Sequence, residues 1–235
     1  MYKTTYQILS SQIGPSNKLK LFDLINILQD VEGLHIDQLG EFSTSLKDNN
    51  LGIYLSFRQV NIKKWPKLFD TLHIETYPYD TKGYFGYRNT IIYNDKKEVI
   101  AETYCLGTFM SLDTLRPTKI NQEIIDTLDQ ETRYDMEYLP RKIGYNKDNY
   151  LSRGADITVD IMHIDSYLHM NNAFYIAFAE SLLPENYTIG NFRAEYKKPV
   201  LYKEVIHAEL YKEESFYIVV IKNENNDDCA IIEFR

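Results

Sequence analysis

The stretch Leu72-His73-Ile74-Glu75-Thr76-Tyr77 returns later in the chain as Ile206-His207-Ala208-Glu209-Leu210-Tyr211. Residue 206 stands against residue 72, an offset of 134, and no gap is needed. Carried back at that offset, Ile62-Lys63-Lys64 meets Tyr196-Lys197-Lys198, and Asp70 meets Glu204. Apolar and polar residues alternating with a period of two predict a half-buried strand in each copy. One short match is weak. A match flanked on both sides by the same order of elements points to a duplicated unit.

That order is legible outward from the match. Residues 4–10 read as a short strand. Leu21, Leu24, Ile25, Leu28, Val31 and the Leu34 to Ile36 run recur at spacings of three and four, so residues 19–39 read as a helix with one apolar stripe. Runs at 51–62, 70–79, 83–94 and 99–113 read as strands. Their separators are Lys63-Lys64-Trp65-Pro66, Asp80-Thr81-Lys82-Gly83 and Asn94-Asp95-Lys96-Lys97, which carry turn-forming residues. Residues 116–150 are polar and mixed, with a short helix expected at 120–128. The order then repeats: a strand at 154–164, a helix at 172–183, and strands at 189–197, 204–213, 216–223 and 229–234. Asn225-Asn226-Asp227-Asp228 turns between the last two.

A strand, one long helix and an antiparallel sheet wrapped around it make a hotdog. The expected fold is α+β, with two tandem hotdog repeats at residues 1–115 and 150–235 and a connector at 116–149. Such a chain is expected as a monomeric pseudo-dimer or a homodimer, with sheets joined edge to edge so that fewer strand edges stay open.

The chain has 235 residues, enough for two cores of this size. Aromatic residues make up 14%, led by 20 Tyr, and favour strands. The net charge of −8 argues against nucleic acid as a general partner, because phosphate binding needs concentrated positive charge. The first residues show no apolar run of signal-peptide length, and no stretch approaches the roughly 20 apolar residues of a membrane span. Cys105 and Cys229, the only two cysteines, make no disulfide framework and are expected as buried free thiols. A cytoplasmic protein without membrane insertion is expected. His35, His73, His163 and His207 are scattered singly, and no metal cluster or Gly-rich phosphate loop is evident, so no cofactor is expected.

The chemistry concentrates in Met162-His163-Ile164-Asp165-Ser166-Tyr167-Leu168-His169-Met170-Asn171-Asn172-Ala173-Phe174-Tyr175. A carboxylate, a phenol, an imidazole and two amides stand at the end of an apolar strand, just before an apolar helix. Helix N–H groups at Asn171–Phe174 lack partners inside the helix and are expected to be open to an oxyanion. His169 can polarise a carbonyl or move a proton near neutral pH. Asp165 can orient His169 or act on water. The same residue types also make turns and N-caps.

This run resembles the D-x-N-x-H-x-N-N-x-x-Y segment of the fatty acyl-ACP thioesterases, which carry two hotdogs in one chain. Asp165, His169, Asn171, Asn172 and Tyr175 stand at matching positions, and Tyr167 replaces the family's catalytic Asn. Ile27-Leu28-Gln29-Asp30-Val31-Glu32-Gly33-Leu34-His35 is similar to the family's first helix. Gly107-Thr108-Phe109-Met110-Ser111-Leu112-Asp113-Thr114-Leu115-Arg116-Pro117 is similar to the strand that ends its first domain. The resemblance covers most of the chain. It implies Asp165, His169, Tyr167 and Glu195 as catalytic candidates.

Glu195 depends on register. In one alignment Glu195-Tyr196-Lys197-Lys198-Pro199-Val200 matches throughout, and Pro199 takes the position of the family's catalytic Glu. In the other, Phe192-Arg193-Ala194-Glu195-Tyr196 matches and Glu195 is kept. The two differ by four residues, roughly 13 Å along a strand. The internal repeat favours the first. Glu180 is a further carboxylate on the helix, where the family has its Glu one position later, at Ser181.

The resemblance also implies a fatty acyl chain on acyl carrier protein as substrate, hydrolysed to free fatty acid, with the acyl tail in the first hotdog. Asn171, Asn172, Arg193, Lys197 and Lys198 are the substrate-binding candidates. Arg193, Lys197, Lys198 and Lys203, with Lys63, Lys64 and Lys67 in the sister repeat, are expected to give an acidic carrier local positive charge. Two alternatives remain open at this stage. One is an acyl-CoA thioesterase. The other is a weakly active or non-catalytic protein that binds acyl thioesters, because of Tyr167 and Pro199.

Overall fold

The computed structural model describes residues 1–235, which fall into two compact units, Met1–Tyr138 and Leu139–Arg235. In the first unit, β1 (Tyr2–Gln7) is followed by a single 3₁₀ turn at Ser10–Gln12, then by α1 (Leu21–Asp37) and α2 (Glu41–Asp48). Four long strands come next: β2 (Leu51–Ile62), β3 (Thr71–Lys82), β4 (Phe85–Tyr93) and β5 (Val99–Ser111). They pair antiparallel in the order β1-β3-β4-β5-β2, and a two-residue strand β6 (Arg116–Pro117) clips onto β5. Gly83 closes the β3–β4 turn at φ +60°, where a side chain would be strained. The short helix α3 (Gln122–Ile125) ends this part.

The apolar stripe of α1 forms because Leu21, Leu24, Ile25, Leu28 and Val31 fall on one side of a 3.6-residue period, and all five are buried. Burial of each such side chain contributes about 1.5–3 kcal/mol. The same face also buries Glu32 and His35. Arg58 of β2 forks onto Glu32 with contacts of 2.9 and 2.6 Å, and the Thr90 hydroxyl of β4 donates to the same carboxylate at 2.9 Å. Arg88 of β4 donates to His35 Nδ1 and to the Thr76 hydroxyl of β3. Burial alone would raise the Glu32 carboxyl. The charge and hydrogen bonds of Arg58, helped by Arg88 and Thr90, hold it below its ordinary value.

The second unit repeats the plan with shorter pieces. β7 (Tyr150–Arg153) and β8 (Ile157–Thr158) precede a 3₁₀ turn at Ile161–His163 and then α4 (Asn172–Glu180). β9 (Asn191–Tyr196), β10 (Val205–Lys212), β11 (Tyr217–Asn223) and β12 (Asp228–Phe234) complete it. The antiparallel order is β9-β12-β11-β10, with β7 and β8 both paired to β10. Two hotdog sheets on two helices is the architecture read from the repeat. The offset of 134 lands on strand ends: Ile62 and Tyr196 close β2 and β9, and Thr71 and Val205 open β3 and β10. Cys105 and Cys229 are both buried free thiols.

Three readings need correction. The strand expected at 154–164 is interrupted. Ile157 and Thr158 pair with β10, but the Asp160 carboxylate accepts from Met162 N–H at 2.9 Å and turns the chain into the 3₁₀ turn. Aspartate competes with the ladder for backbone N–H groups, which overrides the apolar alternation there. The second helix stops at Glu180, not Leu183. The polar segment at 116–149 is shared between the units. The Tyr134 N–H and the Tyr138 hydroxyl both donate to Asn89, while Ile143 packs with Tyr211, Ile218, Val220 and Ile231. No helix is long and apolar enough to cross a membrane.

Candidate active site

The functional stretch lies in the second unit, between the 3₁₀ turn and α4. Asp160 N–H donates to His163 Nδ1 at 3.0 Å, and the His163 ring stands edge-on to Phe174 at 4.7 Å between centroids. His163 is thus a turn-capping residue. The chain then folds back on itself. Ile164 bridges Met170, Asp165 N–H donates to His169 C=O at 2.8 Å, and Leu168 N–H donates to Asp165 C=O at 3.0 Å. Leu168 sits at φ +62°, in the left-handed region. The Asp165 carboxylate spans the inside of this turn, accepting from Tyr167 N–H at 2.8 Å and from His169 N–H at 3.4 Å. The fold therefore brings Asp165, Tyr167 and His169 together on one seven-residue turn. The segment after β9 closes over it: Met170 N–H donates to Val200 C=O at 2.8 Å, and Val200 N–H donates to the buried Tyr175 hydroxyl at 3.0 Å.

The helix start differs from the expectation of open N–H donors. Asn171 N–H donates to His163 C=O, Ala173 N–H to the Asn171 side chain at 2.8 Å, and Phe174 N–H to Asn171 C=O. Asn171 is an N-cap, and capping is what ties up those donors. A role in oxyanion binding for the Asn171, Ala173 and Phe174 amides is therefore not supported. Asn172 opens the helix itself, and its C=O accepts from the Tyr196 hydroxyl at 3.4 Å.

The same backbone turn exists in the first unit, 151 residues earlier, with Ser10 against Ile161. Ile13 bridges Leu19, Gly14 N–H donates to Lys18 C=O at 2.9 Å, and Asn17 N–H donates to Gly14 C=O at 3.0 Å. Lys20 N–H reaches Gln12 C=O, and Leu19 N–H reaches Pro66 C=O. Asn17, at φ +57°, holds the place of Leu168. This turn closes with Gly14, Ser16 and Lys18 where the second has Asp165, Tyr167 and His169. Neither the carboxylate nor the imidazole is required to build it.

The remaining candidates lie elsewhere. In β9, Tyr196 faces α4, with its ring 5.6 Å from that of Tyr175. Strand alternation turns Arg193 and Glu195 to the opposite face. There the Glu195 carboxylate accepts from Ile143 N–H at 3.0 Å. Arg193 is buried, forks onto Glu233 at 3.0 and 2.6 Å, and donates to Pro140 C=O. Arg193 is a structural ion pair and gives no surface charge. Glu195 is not brought to Asp165 and His169. Pro199, next to Val200, is the residue that flanks the turn, and it is exposed. Lys197 and Lys198 are held by Asp228 at 3.1 Å and Asp227 at 2.8 Å, and Lys63 by Glu102 at 2.6 Å. Burial raises the Glu180 carboxyl, but it sits eight residues into α4 from Asn172, about 12 Å along the axis. No group of three or more His, Cys, Asp or Glu side chains is placed to hold a metal.

A family model described as the acyl-ACP thioesterase N-terminal domain matches residues 1–128, more than half of the chain. The chain belongs to the acyl-ACP thioesterase family. Among curated relatives, a dodecanoyl-[acyl-carrier-protein] hydrolase of Cinnamomum camphora is 22% identical over 231 residues, covering 88% of this chain and 58% of its own. An oleoyl-acyl carrier protein thioesterase 2 of Arabidopsis thaliana is 24% identical over 207 residues, covering 78% of this chain and 54% of its own. The chain thus spans little more than half the length of these curated relatives. A solved 12:0-ACP thioesterase from Umbellularia californica superposes with a TM-score of 0.86 at 16% identity, over 100% of this chain and 96% of that one. An acyl-ACP thioesterase from Bacteroides thetaiotaomicron gives a TM-score of 0.86 at 18% identity, over 99% and 96%. At these identities the structural likeness is one of fold, and an acyl-ACP thioesterase fold spans the whole chain.

Proposed function

We propose that this chain hydrolyses a fatty acyl thioester carried on acyl carrier protein, releasing free fatty acid and the carrier thiol. The observation that carries the reading is the contrast between the two junctions. One backbone turn is built twice, and only the second copy places a carboxylate, a phenol and an imidazole on it. Family membership supplies the reaction class.

In this reading Asp165 and His169 do the proton work. Water adds to the thioester carbonyl as His169 or Asp165 accepts its proton. The tetrahedral oxyanion then collapses, the C–S bond breaks, and the proton passes to the departing sulfur. Tyr167 is the candidate donor to the oxyanion, in the position where the family carries an amide. Asn171 and Asn172 act by setting the start of α4 beside the turn.

A second reading is favoured by Pro199. It flanks the turn and, in the first of the two registers, takes the place of the family's catalytic Glu, while Glu195 is turned to the other sheet face. A protein so changed hydrolyses slowly or only binds acyl thioesters. A panel of acyl-ACP and acyl-CoA thioesters of graded chain length, followed by thiol release, separates the readings. Turnover on acyl-ACP supports the first, preference for acyl-CoA replaces the carrier, and binding without thiol release supports the second.

A further inference from the structure

The two copies of the junction differ in a second respect that the chemistry does not use. In the second copy Ile161 is 72% exposed, Met162 70%, Leu168 74%, Leu201 43% and Tyr202 50%. The first copy has Ser10, Ser11, Asn17, Lys67 and Leu68 at those positions, by the offsets of 151 and 134. Its own exposed apolar groups there are Leu9 and Phe69, where the second copy has Asp160 and Lys203. The second copy thus shows the larger apolar surface on the same backbone.

These side chains form a rim. Val159 N–H donates to Glu204 C=O, Lys203 N–H to Val159 C=O, and Met170 N–H to Val200 C=O. Those bonds lay the 200–204 segment along the 159–170 segment, so the stretch that carries Leu201 and Tyr202 runs next to the stretch that carries Ile161, Met162 and Leu168. Leu168 adds a conformational argument. A leucine at φ +62° is strained where Asn17 is not, and it places an apolar side chain in water. Neither strain nor exposure serves the fold, since the asparagine turn closes equally well.

Most of the basic side chains expected to meet a carrier are engaged within the fold. Lys197, Lys198 and Lys222 are each paired with a carboxylate, and Arg193 is buried. The rim itself carries Asp160, Asp165 and Glu204 beside Lys203. The whole chain is at −8.

We propose that this rim is the docking surface for acyl carrier protein, and that the carrier is held there by apolar burial and not by a basic patch. The proposal rests on the thioesterase reading above. Any thioester that reaches Asp165 and His169 arrives with its carrier against the residues around that turn. An acidic carrier is repelled at long range by this chain, so screening by salt helps the encounter instead of weakening it.

The test copies the first junction into the second, as a Met162→Ser, Leu168→Asn, Leu201→Lys triple variant. Leu168→Asn relaxes the turn, and thermal melting checks that the variant is folded. Binding of holo-acyl carrier protein is measured by titration calorimetry for both proteins, from about 50 to about 500 mM salt. The expected result is roughly tenfold or greater loss of affinity in the variant, with wild-type affinity unchanged or improved by salt. Equal affinity of the two proteins overturns the proposal, as does no binding to either, or an affinity that falls steeply with salt. Sedimentation of the wild type adds one more decisive outcome. A dimer abolished by the triple variant, with carrier affinity unaltered, assigns the rim to a second copy of this chain and overturns the proposal. Carrier binding that depends on the rim, in a protein that releases no thiol from any thioester, keeps the rim and rejects the hydrolase reading.

Discussion

Glu32→Gln is the perturbation whose cost the structure states most directly. Glu32 is 7% exposed and Arg58 1%, and they meet through two contacts of 2.9 and 2.6 Å. Arg88, 7% exposed, stands in the same cluster with His35 and Thr76 as its partners. The glutamine keeps the shape of the side chain and removes its charge. Two guanidinium groups then remain in the core of the first unit without a carboxylate. Removing one partner of a buried pair costs about 3–5 kcal/mol, because the other charge stays desolvated and uncompensated. In a chain of this length that corresponds to a fall in Tm of roughly 6–20 °C. Trp65 is the only tryptophan and lies in the same unit, between β2 and β3. Its fluorescence during urea unfolding at pH 7 reports the relevant transition. Glu32→Leu combined with Arg58→Met removes one of the two stranded guanidiniums and should cost less than the single change, with Arg88 still uncompensated. A Glu32→Gln protein within about 1 kcal/mol of wild type would refute the claim that this pair is a desolvated, mutually dependent unit.

Further outcomes follow from the same structure. Burial, and then the charge of Arg88, lower the His35 pKa from 6.5 to about 4, so the folded protein holds this imidazole neutral. The unfolded chain binds a proton there as pH falls from about 6.5 to about 4, so stability drops through that window by up to about 3 kcal/mol. Urea midpoints against pH should fall less steeply in His35→Gln, and identical slopes would count against it. Burial pushes the Cys105 thiol up to about 12 and Cys229 up to about 11, so both should resist a thiol reagent at pH 8 until urea is added. Fast labelling of the native protein would contradict that burial. Glu195→Gln should keep turnover within about twofold, since its carboxylate serves Ile143 on the sheet face away from α4. Abolished activity would return Glu195 to the reacting site.

The sequence made the sheet legible because strand alternation is local. The 72–77 and 206–211 copies mark β3 and β10, and the apolar stripe of Leu21 to Val31 marks α1. Helix α2 is not legible in the sequence because Ser43, Thr44 and Ser45 are poor helix formers. Phe42 and Leu46, which pack with Phe109, Ile120 and Ile125, anchor it, and Lys47 pairs with Asp37. The first copy of the junction, at residues 10–20, is hidden for another reason. The turn is made by backbone hydrogen bonds and one left-handed residue, so Gly14 and Asp165 occupy equivalent places without sharing chemistry. Arg193 read as surface charge because its partner, Glu233, is forty residues away in sequence and adjacent only in the β9–β12 ladder. The Glu32, Arg58 and Arg88 cluster likewise joins three elements that no local pattern connects. Asp165, Tyr167 and His169 were legible as a group because a single turn carries all three.

The most direct test of the account compares His169→Ala with Lys18→Ala, the equivalent residues of the two turns, in thiol release from acyl-ACP. Both changes remove a side chain that the turn's backbone does not need, so both proteins should fold with wild-type melting behaviour. The account predicts that His169→Ala loses roughly 10²–10³ in rate while Lys18→Ala stays within about twofold of wild type. A folded His169→Ala protein with half the wild-type rate, or an equal loss in both variants, would contradict the assignment of the reaction to the second junction.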